Sequence, residues 1–295
     1  DLVRSRGLGD VYKRQRHILG RIGVYGAALL VAAAILAPPI WLFISSISSS
    51  AELLSVPVHW IPETPTFDRY WQIILATGNE SAASFRQALV NSFLVASFVT
   101  LVCISVGSLA AYSFARMSFA GHGNLIYLLL LSYTLPPIML VIPLFRVMGD
   151  LQLTNTILGL VIIYSALIMP FAVWIMRSYF QTIPSDLEDA AMIDGCTRLQ
   201  ALRQVILPIS VPGIVATALF CFLAAWEEFL IALIFTSSPA AKTISVAIAE
   251  FTGRHAIDYG MMATGGVIAA IPPILIALIF QRYLISGLAS GAVKG

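Results

Sequence analysis

Charge is scarce in this chain. Asp, Glu, Lys and Arg together make up 11% of its 295 residues, where ordinary soluble domains carry roughly 25%. A soluble globule of this size could not cover itself with so little polar surface. Histidine is rarer still, and His17, His59, His122 and His255 are dispersed, so they form no acid–base or metal-ligand constellation. The three cysteines, Cys103, Cys196 and Cys221, show no CxxC or ligand spacing and read as packing residues. A net charge of +2 with scattered basic residues speaks against a nucleic-acid partner. No nucleotide site is visible either. "GLASGAVKG" is glycine-rich, but a P-loop needs Ser or Thr after its lysine, and Lys294 is followed by Gly295.

What is abundant is apolar sequence, at 59%. A helix crosses a bilayer with about 20 apolar residues, because it rises ~1.5 Å per residue through ~30 Å of hydrocarbon. Six intervals free of Asp, Glu, Lys and Arg are long enough: 22–51, 87–115, 117–145, 151–176, 204–226 and 259–281. Strand alternation is absent, so the expectation is an all-α membrane protein with six transmembrane helices. "YWQIILATGN", residues 70–79, is expected to be an interfacial or outer helix. Pro38–Pro39, Pro136–Pro137 and Pro272–Pro273 fall inside three spans, where each pair bends a helix or merely packs.

Residues 1–15, "DLVRSRGLGDVYKRQ", differ in composition from the rest and are set aside as a non-native leader. The remainder, 16–295, is expected to be one transmembrane domain with a tail at 282–295. With the N-terminus inside, the cytoplasmic side receives Arg16, Arg21, Arg116, Arg177, Arg198, Arg203, Arg282 and Lys294. The outer side receives Arg69, Arg86, Arg146, Lys242 and Arg254. The bias favours both termini and the loop between spans four and five in the cytoplasm.

That loop, 183–208, "IPSDLEDAAMIDGCTRLQALRQVILP", concentrates charge that the chain avoids elsewhere. Ser185 and Glu188 fit a capping box, with Asp186, Glu188 and Asp189 in the first turn of a helix. Gly195 suits a left-handed cap. Thr197 and Gln200 fit a second capping box, after which Leu199, Leu202 and Ile206 fall on one face. Pro208 and Pro212 stand where a new helix could begin. Two short capped helices joined at a glycine turn make a hook shaped for a groove on another protein. An acidic active site and a merely solvated loop are the competing readings.

The loop resembles the cytoplasmic coupling motif of ABC-importer permeases, Glu-Ala-Ala, two residues, Asp-Gly, then Leu-Pro. The matching residues are Ala190, Ala191, Asp194, Gly195, Leu207 and Pro208, with Asp189 at the glutamate position and Glu188 just before it. "NSFLVASF" and "AAYSFARMSFAG", carrying Asn91, Ser92, Tyr112, Arg116 and Gly121, resemble the family's second span and its cytoplasmic end. "QRYLISGLASGAVKG" resembles the carbohydrate subfamily, specifically the shorter permease of maltose- and trehalose-type systems. The resemblance implies the type I ABC importer permease fold in the bacterial inner membrane. It implies a second homologous permease, a dimer of ATPase subunits and an extracytoplasmic sugar-binding protein as partners. ATP and magnesium would be bound by the ATPase, with no cofactor on this chain. It further implies tail contacts to the ATPase through Gln281, Arg282 and Lys294.

Glu227 and Glu228 lie about 30 Å into the fifth span at helical rise, where the family usually has Asn at the first position. Intramembrane carboxylates suggest a translocation path for a hydroxylated solute, or side chains reaching interfacial water beside Trp226. An ion-coupled secondary transporter, a membrane-bound enzyme and an ABC permease for a non-sugar solute such as glycerol phosphate are the alternatives.

Overall fold

A computed structural model describes the backbone of residues 2–57, 59–75, 80–252 and 258–292, and side chains within 21–57, 59–75, 82–252 and 258–283. Among these residues there is no strand. Helices run in the order α1 (Leu2–Ile47), α2 (Ser50–Leu53), α3 (Asp68–Leu75), α4 (Glu80–Arg116), α5 (His122–Tyr133), α6 (Pro137–Asp150) and α7 (Ile157–Phe180). They continue with α8 (Asp186–Ile193), α9 (Arg198–Ala201), a π-turn (Leu202–Ile206), α10 (Leu207–Ile209), α11 (Val211–Glu227), α12 (Leu230–Phe235), α13 (Ile244–Ala249) and α14 (Tyr259–Ala292).

Among the described residues, four helices are long and apolar enough to cross a membrane alone: Arg21–Ile47, Ala82–Arg116, Ile157–Phe180 and Tyr259–Tyr283. Two bent pairs complete six if each counts as one span. The third expected span is not one straight helix. It breaks by 92° between α5 and α6, because Pro136 has no N–H to continue the ladder and biases Leu135 away from helical geometry. Pro137 then opens α6 at its first turn. The other two proline pairs are enclosed within the continuous helices α1 and α14. The fifth span also differs from its expected limits. Gln204 belongs to the π-turn, and the chain bends by 82° before α11 begins at Val211.

The chain divides into two compact units. One comprises Asp1–Arg69 and Tyr259–Val267. Its polar centre is the buried Arg69 guanidinium, which donates to the carbonyls of Ser46 (3.4 Å) and Ser48 (2.6 Å) and to Ser50 Oγ (3.0 Å). Gly260 leaves that guanidinium its room, since a Cβ there would stand 2.1 Å from Arg69 Cζ.

The other unit, Tyr70–Asp258 with Ile268–Gly295, is built on α4, α7 and α11 packed together, with α5 against α7 and α13 against α4. Fully buried Tyr164, Phe180, Leu160, Ile163 and Met176 fill it from α7, and Val95 and Val99 from α4. α4 also clamps the segment after α12. Asn91 Nδ2 donates to the carbonyls of Pro239 and Lys242 at 2.9 and 3.0 Å. The Ile244 N–H donates to Ser92 Oγ at 2.7 Å.

Candidate functional site

The hook is built from local chemistry. α8 starts at Asp186 with all three acids in its first turn, where the helix dipole favours them. It ends on Gly195 at φ +91°. The Gly195 N–H donates to the Met192 carbonyl (3.1 Å) and the Cys196 N–H to Ala191 (3.0 Å), the two bonds of a Schellman cap. Thr197 and Gln200 form the expected reciprocal box: the Thr197 N–H donates to Gln200 Oε1 at 2.7 Å, and the Gln200 N–H to Thr197 Oγ1 at 3.3 Å.

Two local expectations fail for identifiable reasons. Ser185 caps nothing with its side chain, because its backbone is helical (φ −62°, ψ −29°) and a capping hydroxyl needs an extended residue. Leu199 points outward, 65% exposed, while Leu202 and Ile206 are buried. The buried stripe runs through Ala201, Leu202 and Ile206, and Leu199, two residues before Ala201, lies on the opposite side of the helix from it, so the three do not share a face.

Glu188 has turned inward. It is 5% exposed; its Oε1 accepts a hydrogen bond from the Tyr112 hydroxyl, and its Oε2 lies 3.4 Å from Arg116 Nε. Arg116 also donates through Nη2 to the Ile183 carbonyl at 2.6 Å. Around this polar pin, Ala111, Tyr112, Val173, Met176, Phe180, Ile183, Leu202 and Ile206 make one apolar cluster. The hook's inner face is thereby fastened to α4 and α7. Its outer face carries Asp186, Asp189, Ala190, Asp194 and Gly195, all exposed, with Leu187 and Ile193 (86% exposed). Ala191 is buried on the inner side, Leu207 is half-buried and Pro208 exposed. Sequence placed Glu188 and Asp189 together; the structure puts them on opposite faces, and Tyr112 and Arg116 are the signal that could have separated them.

The second feature is the end of the fifth span. α11 stops at Glu227, and Glu228 adopts an extended conformation (φ −64°, ψ 127°). Its carboxylate then accepts from the N–H groups of Ile231 (2.8 Å) and Ala232 (3.1 Å), satisfying the free amides that open α12. Glu228 is half-buried, whereas the adjacent Glu227 is exposed. A cavity of about 320 Å³ touches Glu228, Tyr133, Pro137, Tyr164 and Ala224. Among the described residues no cluster of His, Cys, Asp and Glu could hold a metal ion.

In the tail, Gln281 and Arg282 are exposed. The Arg282 guanidinium lies 4.7 Å from the centre of the Tyr283 ring and donates to its hydroxyl at 3.0 Å. Lys294 lies outside the described residues, as do Arg254 and His255.

Comparisons agree with this architecture. The family described as "Binding-protein-dependent transport system inner membrane component" matches residues 103–290, more than half the chain. The trehalose/maltose transport system permease MalG of Thermococcus litoralis is 38% identical over 283 residues, covering 95% of this chain and 99% of that protein. The trehalose transport system permease SugB of Mycobacterium tuberculosis is 39% identical over 279 residues, covering 93% and 99%. The sulfoquinovosyl glycerol transport system permease SmoH of Agrobacterium fabrum is 36% identical over 258 residues, covering 88% of each. Among solved structures, a bacterial ABC transporter that imports alginate superposes with a TM-score of 0.74 at 22% identity, over 89% of this chain and 96% of that one. The MetNI methionine ABC transporter gives 0.55 at 17%, over 75% and 99%. A helical fold with paired broken spans, a pinned hook and relatives matched over nearly their whole length lead to one conclusion: this chain belongs to the inner-membrane permease components of binding-protein-dependent transport systems.

Proposed function

We propose that this chain forms half of the translocation path of an ATP-driven importer for a sugar, a di- or oligosaccharide or a related solute. Its hook couples that path to ATPase subunits on the cytoplasmic side. The observation that carries the coupling role is the two-faced hook. Its inner face is locked to α4 by Tyr112, Arg116 and Glu188, while its outer face leaves Asp186, Asp189, Ala190, Asp194 and Ile193 uncovered. An apolar knob ringed by carboxylates, on a rigid stalk, suits a groove of opposite charge. Asp189 is the acid that would meet the partner, and Glu188 would transmit its motion to the membrane helices. Gly195, Leu207 and Pro208 give the hook its turn and its exit. Gln281, Arg282 and Lys294 would add contacts from the tail.

In this reading ATP and magnesium sit on the ATPase dimer, and a second permease supplies the other half of the path. Both termini of this chain face the cytoplasm, and an external binding protein delivers the solute. Relatives named for trehalose, maltose, diacetylchitobiose and sulfoquinovosyl glycerol support a carbohydrate cargo, and Glu227 and Glu228 would border its path. Co-purification tests this directly. Affinity-tagged chain should bring down an ATPase and a second permease from membranes of its source cell. Recovery of the intact chain without either would refute the proposal.

A further inference from the structure

We propose that the loop between α1 and α3 is a lipid anchor, seated in the bilayer interface with Leu54, Val56, Trp60 and Ile61 against acyl chains. The inference stands on the membrane-spanning fold and not on the cargo. The loop closes on itself: the chain leaves α1 at Ile47, and the Thr66 N–H returns to the Ile47 carbonyl at 2.8 Å. In between it folds back beside the helix. The Trp60 ring lies 4.9 Å from the Trp41 ring, with planes 58° apart. Trp41 stands six residues before the end of α1, ~9 Å down the helix axis and inside the span Arg21–Ile47. Trp60 is thereby carried to the depth of the last turns of a membrane helix.

The loop sorts its polar and apolar groups to match. Glu52 Oε2 accepts from the Ser49 N–H at 2.8 Å, and Oε1 from the Glu63 and Thr64 N–H groups at 2.9 and 3.2 Å. Ser55 Oγ donates to the Glu52 carbonyl at 2.8 Å and lies 2.8 Å from His59 Nδ1. Irregular backbone beside hydrocarbon must satisfy its polar groups within the protein, and these bonds do so. Leu54, Val56, Trp60 and Ile61 are instead 68–96% exposed. Clustered large apolar side chains of this kind mark a membrane or partner surface, and tryptophan is enriched at the bilayer interface. A protein-docking face would keep polar groups to pair across it, whereas here they are spent inside the loop. Glu63, exposed and 3.7 Å from His59 Nε2, marks the side left in water. The anchor also sets the height of two spans. The Ser46 and Ser48 carbonyls, where α1 ends, hold Arg69, and Ser46 also accepts from Thr264 Oγ1 of α14 at 3.3 Å.

The test uses the complete transporter in vesicles of phosphatidylcholine and phosphatidylglycerol. This chain carries Cys196→Ser, its other two cysteines being buried. Nitroxide labels are attached at Val56→Cys and Ile61→Cys, with exposed Thr64→Cys as the water-side reference. Collisions with oxygen, which concentrates in hydrocarbon, are compared with collisions with a water-soluble nickel chelate. Oxygen should dominate at Val56 and Ile61 and the chelate at Thr64, and adding the external binding protein should leave both ratios unchanged. Dominance of the chelate at either Val56 or Ile61 puts the loop in water and overturns the anchor. Low rates with both reagents, which mean cover by the companion permease, overturn it as well. So does a fall in both rates when the binding protein is added, which makes the loop a protein-docking face. A second readout addresses Trp60 itself: vesicles with brominated acyl chains should quench the emission that Trp60→Phe removes, and unquenched emission overturns the anchor.

Discussion

The Tyr112 hydroxyl of α4 donates a hydrogen bond to the Glu188 carboxylate of the hook, 76 residues further along the chain. Arg116, one turn beyond Tyr112, closes the same carboxylate into an ion pair at 3.4 Å. The contact joins the most polar loop of the protein to one of its longest membrane helices. Removing one member of a buried ion pair leaves the other charge uncompensated, at a cost of ~3–5 kcal/mol. Glu188→Ala should therefore lower the melting temperature of the detergent-solubilised chain clearly. Asp189→Asn, on the exposed face, should change stability by less than ~0.5 kcal/mol while weakening ATPase recovery. Equal melting temperatures for wild type and Glu188→Ala would show that the pin does not hold the hook.

Gly195→Ala isolates the turn. A Cβ there meets nothing within 4 Å, so no clash contributes. The whole cost is backbone, about 1–2 kcal/mol for an L-residue in a left-handed conformation. Amide exchange at Gly195 and Cys196, which close the Schellman cap, should accelerate roughly tenfold, while that of α7 stays unchanged.

Gly213→Ala is steric instead. Its Cβ would lie 2.4 Å from Tyr179 Cγ, forcing α7 and α11 apart at ~1–3 kcal/mol. Pairing it with Tyr179→Ala should recover part of the lost thermal stability. A double variant no better than the single one would mean that another contact sets the spacing.

Acid should loosen the segment after α1. Glu52 accepts from the Ser49, Glu63 and Thr64 amides, led by the Ser49 bond, and these hold its carboxyl below the usual carboxylate range. Protons then bind the unfolded segment more readily than the folded one. The stabilisation is present above the unfolded value, ~4.3, and is lost as pH falls through the lower folded value. Exchange at Glu63 and Thr64 should rise as pH falls below about 4, beyond the intrinsic pH effect, and Glu52→Gln should abolish that extra rise.

Much of this was legible from residue order. Charge-free length marked the apolar spans, and Gly195 with Thr197 and Gln200 marked the hook's turn and second helix, because caps are local chemistry. What depended on distant partners was not. Nothing near Glu188 says that Tyr112 and Arg116 will claim its carboxylate, and the loop pattern alone makes it look like a cap. Leu199 was misassigned because the buried stripe is set by small Ala201 beside Leu202, which a pattern of large apolar residues passes over. Glu228 looked like a path residue from its depth in the span. Its capping of Ile231 and Ala232 became visible only once the helix was known to break. Asn91 and Ser92 could be singled out, yet the segment they clamp lies about 150 residues away.

The most direct measurement places a photo-crosslinking amino acid at Ile193, the most exposed apolar side chain of the hook, in the intact chain in its membrane. Irradiation should yield one adduct between this chain and a co-purifying ATPase subunit, and the same probe at Trp174 on α7, away from the hook, should yield none. An ATPase that co-purifies fully but never crosslinks at Ile193, or labelling of Ile193 by a membrane-impermeant reagent added from outside the cell, would contradict the coupling role of the hook.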